Sequence, residues 1–407
     1  MIGSADRDIL RHLASKVAGF AALPIQNERR ELWYKHNSLE RTRPLIFCDP
    51  ENSWNEIIPQ SSLQCEDPLA RAWEMGLRVT VFRGEKMKDD VVISPYFDVA
   101  HVHTSTDWGM HETIIGGGSG CAYTWDSPLK SYDALDKLRF PEITVDYAAT
   151  DRLFNDASDV LGDILTVRLN TRWWWSFGMT WTLAQIRGLE QMMFDMVDNP
   201  EGLHQLMGIL RDGHNAKFDF LEDNNLLSLN NDGTYVGSGG FGWTHELPQH
   251  DFDGKVRTCD MWGFAESQET VAVSPDMFEE FIFPYQLPLM QRFGLNCYGC
   301  CEPVDTRWHV IKQAPNLRRI SVSPWSSIPK MAEYLGHNYI LSLKPNPSLL
   351  AMETFHEDLV RENLRESMEQ ANGCCLEVVM KDNHTLRNEP DRAVRWVEIA
   401  LREAEKY

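Results

Sequence analysis

Two adjacent cysteines and a glutamate follow a short apolar run in the second half of the chain. Residues 295–298 are typical of a buried strand, and Cys300, Cys301 and Glu302 come just after them. Thiolate, imidazole and carboxylate groups are the usual ligands of zinc, and a catalytic zinc keeps three protein ligands and one open position. The spacing is not that of a zinc finger, so it favours a catalytic site. With His384, which follows the last apolar run, the predicted ligands are Cys300, Cys301, Glu302 and His384.

A simpler interpretation stays open, in which both thiols are small buried side chains. Adjacent side chains of an extended chain point to opposite sides. We therefore expect only one of Cys300 and Cys301 to reach a metal. A second adjacent pair, Cys374 and Cys375, lies at the start of a later apolar run, where core packing is the favoured interpretation.

Polar residues also follow the other apolar runs of this half of the chain. In a barrel of parallel strands, reactive residues lie just beyond the C-terminal ends of the strands. On that basis Glu266, Asp232 and Asp382 are candidates for acid–base catalysis, and Glu266 is an alternative metal ligand. Lys344 is followed by Pro345 and Pro347, and it could bind an anionic group or pair with a nearby carboxylate.

Large aromatic residues follow several of the same runs. Consecutive side chains cannot all face one way, so at most two of the three tryptophans in 173–175 can reach a cavity. They suggest a flat apolar ligand, and ordinary packing is the alternative. The predicted substrate-binding residues are Trp173, Trp175, Trp262, Tyr298, Trp325 and Lys344.

The elements that must position these residues alternate between strand and helix. Apolar strand-like runs at 45–48, 164–170, 226–229, 256–262, 295–298, 320–322, 339–343 and 375–380 are mostly separated by helical patterns. This rhythm predicts an α/β protein, a (β/α)8 TIM barrel at 44–407 with an N-terminal helical extension at 1–43. The glycine-rich run 116–120 lacks the residues of a phosphate-binding loop, which argues against a nucleotide.

Composition sets the limits on partners and location. The 407 residues carry 39 Lys and Arg against 60 Asp and Glu, a net charge of −21, so neither nucleic acid nor an anionic membrane surface is an expected partner. There is no apolar run long enough for a membrane span, and the polar N-terminus has no signal core. Nine cysteines, an odd number, indicate reduced thiols, so we expect a cytoplasmic protein.

Over residues 160–407 the chain resembles the uroporphyrinogen decarboxylase superfamily, in its branch of corrinoid-linked zinc methyltransferases. The similar parts are an aromatic strand end at 262–266, a Ser-Pro helix start at 274–275 and a Pro-Tyr at 284–285. The Cys300 loop lies where those methyltransferases carry a His-x-Cys-Gly zinc motif. Tyr298 stands in place of the His and Cys301 in place of the Gly, so Cys300 is the best-matched ligand.

The resemblance implies a zinc-dependent methyltransferase. It would move a methyl group between a small substrate, such as a methoxylated aromatic (an O-demethylase reaction) or a methylamine, and the cobalt of a corrinoid (cobalamin) carried by a partner protein. The arginine-rich N-terminal signature of the decarboxylases is absent, so decarboxylation of uroporphyrinogen is not expected. The alternatives are a glycoside hydrolase using Asp232 and Glu266, and a non-catalytic tetrapyrrole- or corrinoid-binding protein.

Overall fold

The protein is an α/β protein with a central parallel sheet. The computed structural model describes residues 2–117 and 123–407, so residues 118–120 of the glycine-rich run lie outside it. The strands in the described residues are β1 (Leu45–Cys48), β2 (Tyr96–Val99), β3 (His103–Ser105), β4 (Thr113–Gly116), β5 (Tyr123–Asp126), β6 (Ile143–Val145), β7 (Thr166–Leu169), β8 (Trp262–Ala265), β9 (Leu295–Tyr298), β10 (Leu317–Val322), β11 (Ile340–Leu343) and β12 (Cys375–Met380).

Six of these strands form the central sheet in the order β1-β12-β11-β10-β9-β8, and all their pairings are parallel. Strands β2 and β7 form a separate parallel pair, while β3–β6 and β4–β5 are antiparallel pairs. Within the described residues, no strand pairing joins the central sheet to the β2–β7 pair. The closed ring of eight strands is therefore not established by the backbone pairing.

The helices of the described residues are α1 (Ser4–Ala21), α2 (Pro24–Asn37), α3 (Trp54–Ile57), α4 (Pro68–Phe82), α5 (Tyr147–Leu161), α6 (Thr180–Arg187), α7 (Leu189–Asp198), α8 (Pro200–Asp223), α9 (Pro275–Phe281), α10 (Phe283–Met290), α11 (Trp308–Ile311), α12 (Ile328–Leu335), α13 (Ser348–Ala351), α14 (Glu357–Gln370) and α15 (Asp391–Ala404). None of them is long and apolar enough to cross a membrane.

Local sequence signals explain where several helices begin. Pro200 occupies the first turn of α8, and the side chain of Asn199 accepts a hydrogen bond from the Gly202 amide. Asp67 caps α4 and Ser274 caps α9 in the same way. The sequence pattern also predicts a helix over 147–161, ending at Gly162, and α5 has these bounds in the structure.

Two predicted strands differ from the structure. Residues 226–229 form no strand, because the Asn230 side chain takes the place of a backbone partner: its amide donates to the Trp262 carbonyl and its oxygen accepts from the Trp262 N–H. The strand predicted at 256–262 begins only at Trp262, since Thr258–Asp260 is a 3-10 turn. The side chain of Asp260 holds this turn through the Arg257 N–H.

The two N-terminal helices pack in different places. Helix α1 lies against α4 and α5 through an apolar cluster that includes Leu10, Leu13 and Val17. Helix α2 reaches the central sheet, where Trp33 is fully buried beside Leu45 of β1. The N-terminal segment therefore shares its core with the rest of the chain.

A buried charge cluster, formed by Glu377 of β12, Arg319 of β10 and His36 of α2, joins this helix to the sheet. One Glu377 oxygen lies 3.1 Å from Arg319 Nε, and the other lies 3.1 Å from His36 Nε2. Although burial opposes it, the guanidinium and the imidazole lower the pKa of Glu377 to about 2. The carboxylate thus stays charged inside the protein because both partners compensate it.

A turn of the chain at residues 235–241 fills the space beside this cluster. Tyr235 and Phe241 form an isolated antiparallel bridge. A Cβ on Gly239 would lie 2.1 Å from Arg319 Cδ, and one on Gly240 would lie 2.4 Å from the Trp33 ring. Only glycine allows so close an approach. The turn consequently brings Tyr235 and Ser238 toward the carboxyl edge of the sheet.

Candidate functional site

A cavity of about 630 Å³ lies at the carboxyl ends of β9, β10, β11 and β12. Each of these strands contributes residues from just beyond its last position, as parallel strands in one sheet must. The structure thereby brings together six of the residues selected from the sequence, namely Cys300, Cys301, Trp325, Lys344, Asp382 and His384.

Both cysteine sulfurs face the same space. Cys300 and Cys301 lie beyond the end of β9, after Gly299 with φ +93°, and their sulfurs are 3.7 Å apart. Cys301 Sγ lies 3.9 Å from Asp382 Oδ2. The expectation that the two thiols point to opposite sides is wrong here, because it holds for extended strands and this pair lies in a turn.

Charge at the thiols favours ionisation of one of them. The hydrogen bond from Cys301 and the ammonium group of Lys381 lower the pKa of Cys300, against the effect of burial. The same hydrogen bond, together with burial, raises the pKa of Cys301. Cys300 is therefore the more acidic thiol of the pair, with Cys301 as its hydrogen-bond donor.

Lys381 was not selected from the sequence, although it directly follows β12. Its Nζ lies 3.3 Å from Glu51 Oε1 and 5.7 Å from the centre of the Trp175 ring. Although burial opposes it, nearby groups that include Tyr235, Cys300 and Glu51 raise the pKa of Lys381. It is thus a fixed cation beside the thiols.

Two hydroxyl groups also escaped selection. Tyr235 Oη is buried and has no hydrogen-bond partner among the described residues, and Ser238 Oγ is buried close to the Cys300 thiol. Both affect the electrostatics of the thiol site, since Ser238 contributes to lowering the pKa of Cys300 and Tyr235 to raising that of Lys381. Their position depends on the close approach of Gly239 and Gly240 to distant residues, so no local pattern reveals it.

Two glutamates are buried under the Cys300 turn. Glu302 accepts from the amides of Ser267 (2.8 Å) and Cys300 (2.9 Å), and it holds the turn in shape. Glu266 accepts from the Ser176 hydroxyl and the Gln268 amide, both at 3.1 Å. Burial raises the pKa of both carboxyls, and the charge of Glu302 adds to the effect on Glu266. Glu266 is thus favoured as a neutral acid.

The four predicted zinc ligands do not fit one ion. The sulfurs of Cys300 and Cys301 are separated by nearly the distance of about 3.8 Å that a tetrahedral zinc with Zn–S bonds of about 2.3 Å requires. However, both oxygens of Glu302 are taken by backbone amides, and His384 Nδ1 lies 3.1 Å from Asn52 Nδ2. In the described part of the chain, no three His, Cys, Asp or Glu side chains form a group able to hold a metal.

Lys344 is nearly fully buried in the wall of the cavity. Its ammonium group donates to the hydroxyl of Ser342 at 2.6 Å and to the Ser342 carbonyl at 3.2 Å. Burial lowers the pKa of Lys344 to about 7. The amine can therefore give up or take a proton near neutral pH, which an ordinary lysine cannot do.

The predicted substrate-binding aromatics are divided between sites. Trp325, 72% exposed, lines the thiol cavity. Trp173, Trp175 and Trp262 line a neighbouring cavity of about 130 Å³. The indole N–H groups of Trp173 and Trp262 donate to the carbonyls of Leu226 and Gly242. Tyr298 is fully buried, and its hydroxyl lies 2.9 Å from Gln286 and 3.0 Å from Ser267.

Asp232 lies away from the thiols. Its carboxylate pairs with Arg168 at 2.9 Å, and it lines a different cavity of about 810 Å³. Glu266 does not border that cavity. The structure therefore does not bring Asp232 and Glu266 together across one cavity, as the glycoside hydrolase alternative would require.

Comparison with known proteins gives a distant structural similarity and no sequence match. No protein-family model and no curated protein matches the sequence. One solved structure that the chain is similar to is a methyltransferase from Methanosarcina mazei, with 10% sequence identity and a TM-score of 0.48 over 93% of this chain and 97% of that one.

Proposed function

We propose that this protein is a methyltransferase that works at the thiol cavity. It moves a methyl group between a small substrate and the corrinoid carried by a partner protein. The observation that carries the proposal is the thiol of Cys300, which faces the cavity with Cys301 as hydrogen-bond donor and Lys381 as a nearby cation. The sequence resemblance to the corrinoid-linked methyltransferases supports the same reaction.

The proposal includes the barrel that the rhythm of the sequence predicts. The six strands of the central sheet and the β2–β7 pair make eight parallel strands. Residues 226–231, attached to β8 through the Asn230 side chain, lie on the route between the two sheets. We propose that they complete the wall in place of a regular strand.

The chain's own residues account for the transfer as follows. The Cys300 thiolate attacks a methyl carbon held on oxygen or nitrogen, so that a C–S bond forms as the C–O or C–N bond breaks. The leaving atom keeps the bonding electron pair and takes a proton from Lys344, which lines the same cavity. A second nucleophile then takes the methyl group from sulfur and leaves the thiolate behind. Trp325, an exposed residue that lines the cavity, is the aromatic side chain available to contact the substrate.

The predicted zinc is not used in this mechanism, and metal analysis of the purified protein tests whether it binds. No step above depends on it, because the predicted ligands do not converge. An assay with and without added zinc, together with the zinc content of the purified protein, tests the ligand set directly.

The test is a methyl-transfer screen. Methoxylated aromatics, methylamines and methylated thiols carrying deuterated methyl groups are offered to the protein with a reduced corrinoid. We expect one class to change the corrinoid spectrum and to leave the label on Cys300 when the corrinoid is omitted. Cys300→Ser should lose both signals, and the matched control Cys375→Ser should keep both. A screen without label transfer to Cys300 or the corrinoid would contradict the proposal.

A further inference from the structure

The Cys300–Cys301 pair has a geometry that methyl transfer does not require. One thiolate suffices as nucleophile, yet a second sulfur stands 3.7 Å from the first on the wall of the same cavity. A disulfide needs about 2.05 Å between the sulfurs, so the pair must close by about 1.65 Å. Because consecutive Cα atoms are only about 3.8 Å apart, less than the usual separation of about 4.4–6.8 Å, the resulting disulfide would be strained and easily reduced.

Hydrogen bonds to a buried carboxylate and a left-handed glycine fix the conformation of the turn that carries the thiols. Glu302 binds the Cys300 amide and the Ser267 amide with its two oxygens, and Gly299 adopts a φ of +93°. These contacts leave the two sulfurs directed at each other, and the carboxylate of Asp382 is the neighbour of Cys301 on its other side.

We propose that Cys300 and Cys301 form an oxidisable dithiol that a hydroperoxide converts to a disulfide between adjacent residues. The Cys300 thiolate attacks one oxygen of the peroxide, the O–O bond breaks, and Cys300 becomes a sulfenic acid. The Cys301 sulfur then attacks the Cys300 sulfur, and hydroxide leaves with the Cys301 proton as water. Hydrogen peroxide is reduced to two molecules of water for each pair of thiols oxidised.

The chain contains an internal control for this chemistry. Cys374 and Cys375 are also adjacent, but Cys374 Sγ is directed at the Ala332 carbonyl and Cys375 Sγ lies 3.4 Å from His36 Nδ1. Cys375 begins β12 and Cys374 lies just before it, and the two sulfurs have separate partners in place of each other. This pair should remain reduced under the conditions that oxidise the first.

Oxidation would also silence the proposed methyl transfer, since the disulfide removes the nucleophile. That consequence depends on the proposed function, whereas disulfide formation does not. A dithiol reductant would restore the thiols, which makes the change reversible.

The experiment treats the native protein with hydrogen peroxide and follows it by intact mass and peptide mapping. We expect the loss of two hydrogen atoms, a disulfide assigned to Cys300–Cys301 by fragmentation, and full reversal by dithiothreitol. Cys301→Ser should instead give a sulfenic acid at Cys300 that dimedone traps, and Cys375→Ser should behave like the unaltered chain.

Two results would overturn the proposal. One is over-oxidation of Cys300 with no disulfide in the unaltered chain, and the other is an equal yield of disulfide at Cys374–Cys375. Failure of the methyl-transfer screen would leave these mass measurements unaffected, so the two proposals fail separately.

Discussion

The two adjacent cysteine pairs of this chain show how the same dipeptide acquires different chemistry. Cys375 begins a strand and Cys374 lies just before it, and their sulfurs have separate partners, Ala332 and His36. Cys300–Cys301 lies in the turn after a strand, and its sulfurs meet at 3.7 Å. The backbone conformation, rather than adjacency in sequence, decides whether two thiols can act together.

The surroundings of the two cysteine pairs also differ, since one pair lies beside a compensated charge cluster and the other beside a cavity. Cys375 lies beside the Glu377 cluster, in which the charges compensate one another. Cys300 faces a cavity, and Lys381 and the Tyr235 hydroxyl, which has no hydrogen-bond partner among the described residues, lie nearby. Polar groups that compensate one another stabilise the fold, while groups left without partners are available to a ligand.

The largest expected effect lies in the Glu377 cluster. Glu377→Gln removes the carboxylate that compensates Arg319 and His36, so we expect a loss of about 3–5 kcal/mol in the free energy of unfolding, measured by urea denaturation. Cys300→Ser is the control and should change stability by less than about 1 kcal/mol. Equal effects of the two substitutions would remove the distinction between a structural and a functional region.

Methyl-transfer activity should instead depend on Cys300 in the cavity and very little on Cys375 beside the Glu377 cluster. Cys300→Ser is expected to slow methyl transfer at least about 100-fold, or about 2.7 kcal/mol in activation free energy, because a hydroxyl is a far weaker nucleophile than a thiolate. Cys375→Ser should stay within about twofold of the unaltered chain. Single-turnover rates with the substrate found in the screen measure both.

The next prediction is that the free energy of unfolding depends on pH through the Glu377 cluster and not through the thiols of the cavity. Despite the effect of burial, Cys375 and Glu377 raise the pKa of His36 from 6.5 to about 9. The stabilisation from charged His36 is therefore complete below pH 6.5 and is lost as the pH rises through about 9. We expect a loss of about 3 kcal/mol between pH 6 and pH 9.5. Urea denaturation at both pH values should show this loss absent from His36→Asn and kept in Cys301→Ser.

The smallest predicted effect concerns proton transfer in the cavity. Because the pKa of Lys344 is about 7, methyl transfer should fall by up to about tenfold per pH unit above pH 7 as the amine loses its proton. The pH–rate profile of Lys344→Met should lack this falling limb at a lower maximal rate. A profile of unchanged shape in the variant would exclude Lys344 as the proton donor.

Sequence reasoning succeeded where the signal is local. Strands β9 and β12 have their predicted bounds, as does α5, since each rests on a short apolar pattern and its flanking residues. The residues of the cavity could also be predicted from the sequence, because parallel strands place their C-terminal ends at the same edge of the sheet. Cys300, Lys344 and Asp382 each follow one of these strands, so they were expected to be neighbours.

The failures come from contacts between distant parts of the chain. The predicted strand at 226–229 is replaced by a side-chain pairing between Asn230 and Trp262, which no periodicity encodes. Ser238 and Tyr235 reach the site because a glycine turn fits against Arg319 and Trp33. The convergence of the two thiols likewise depends on Glu302, whose role requires Ser267 of another turn.

The position of β1 has a consequence for how this chain is made. Strand β1 is the edge of the central sheet and pairs with β12, and His36 meets Glu377 across 341 residues of sequence. Strands β8 to β11 can each join a neighbour soon after leaving the ribosome, but β1 and α2 must wait until almost the whole polypeptide has emerged. During translation the N-terminal apolar residues around Trp33 therefore stay uncovered until β12 has emerged.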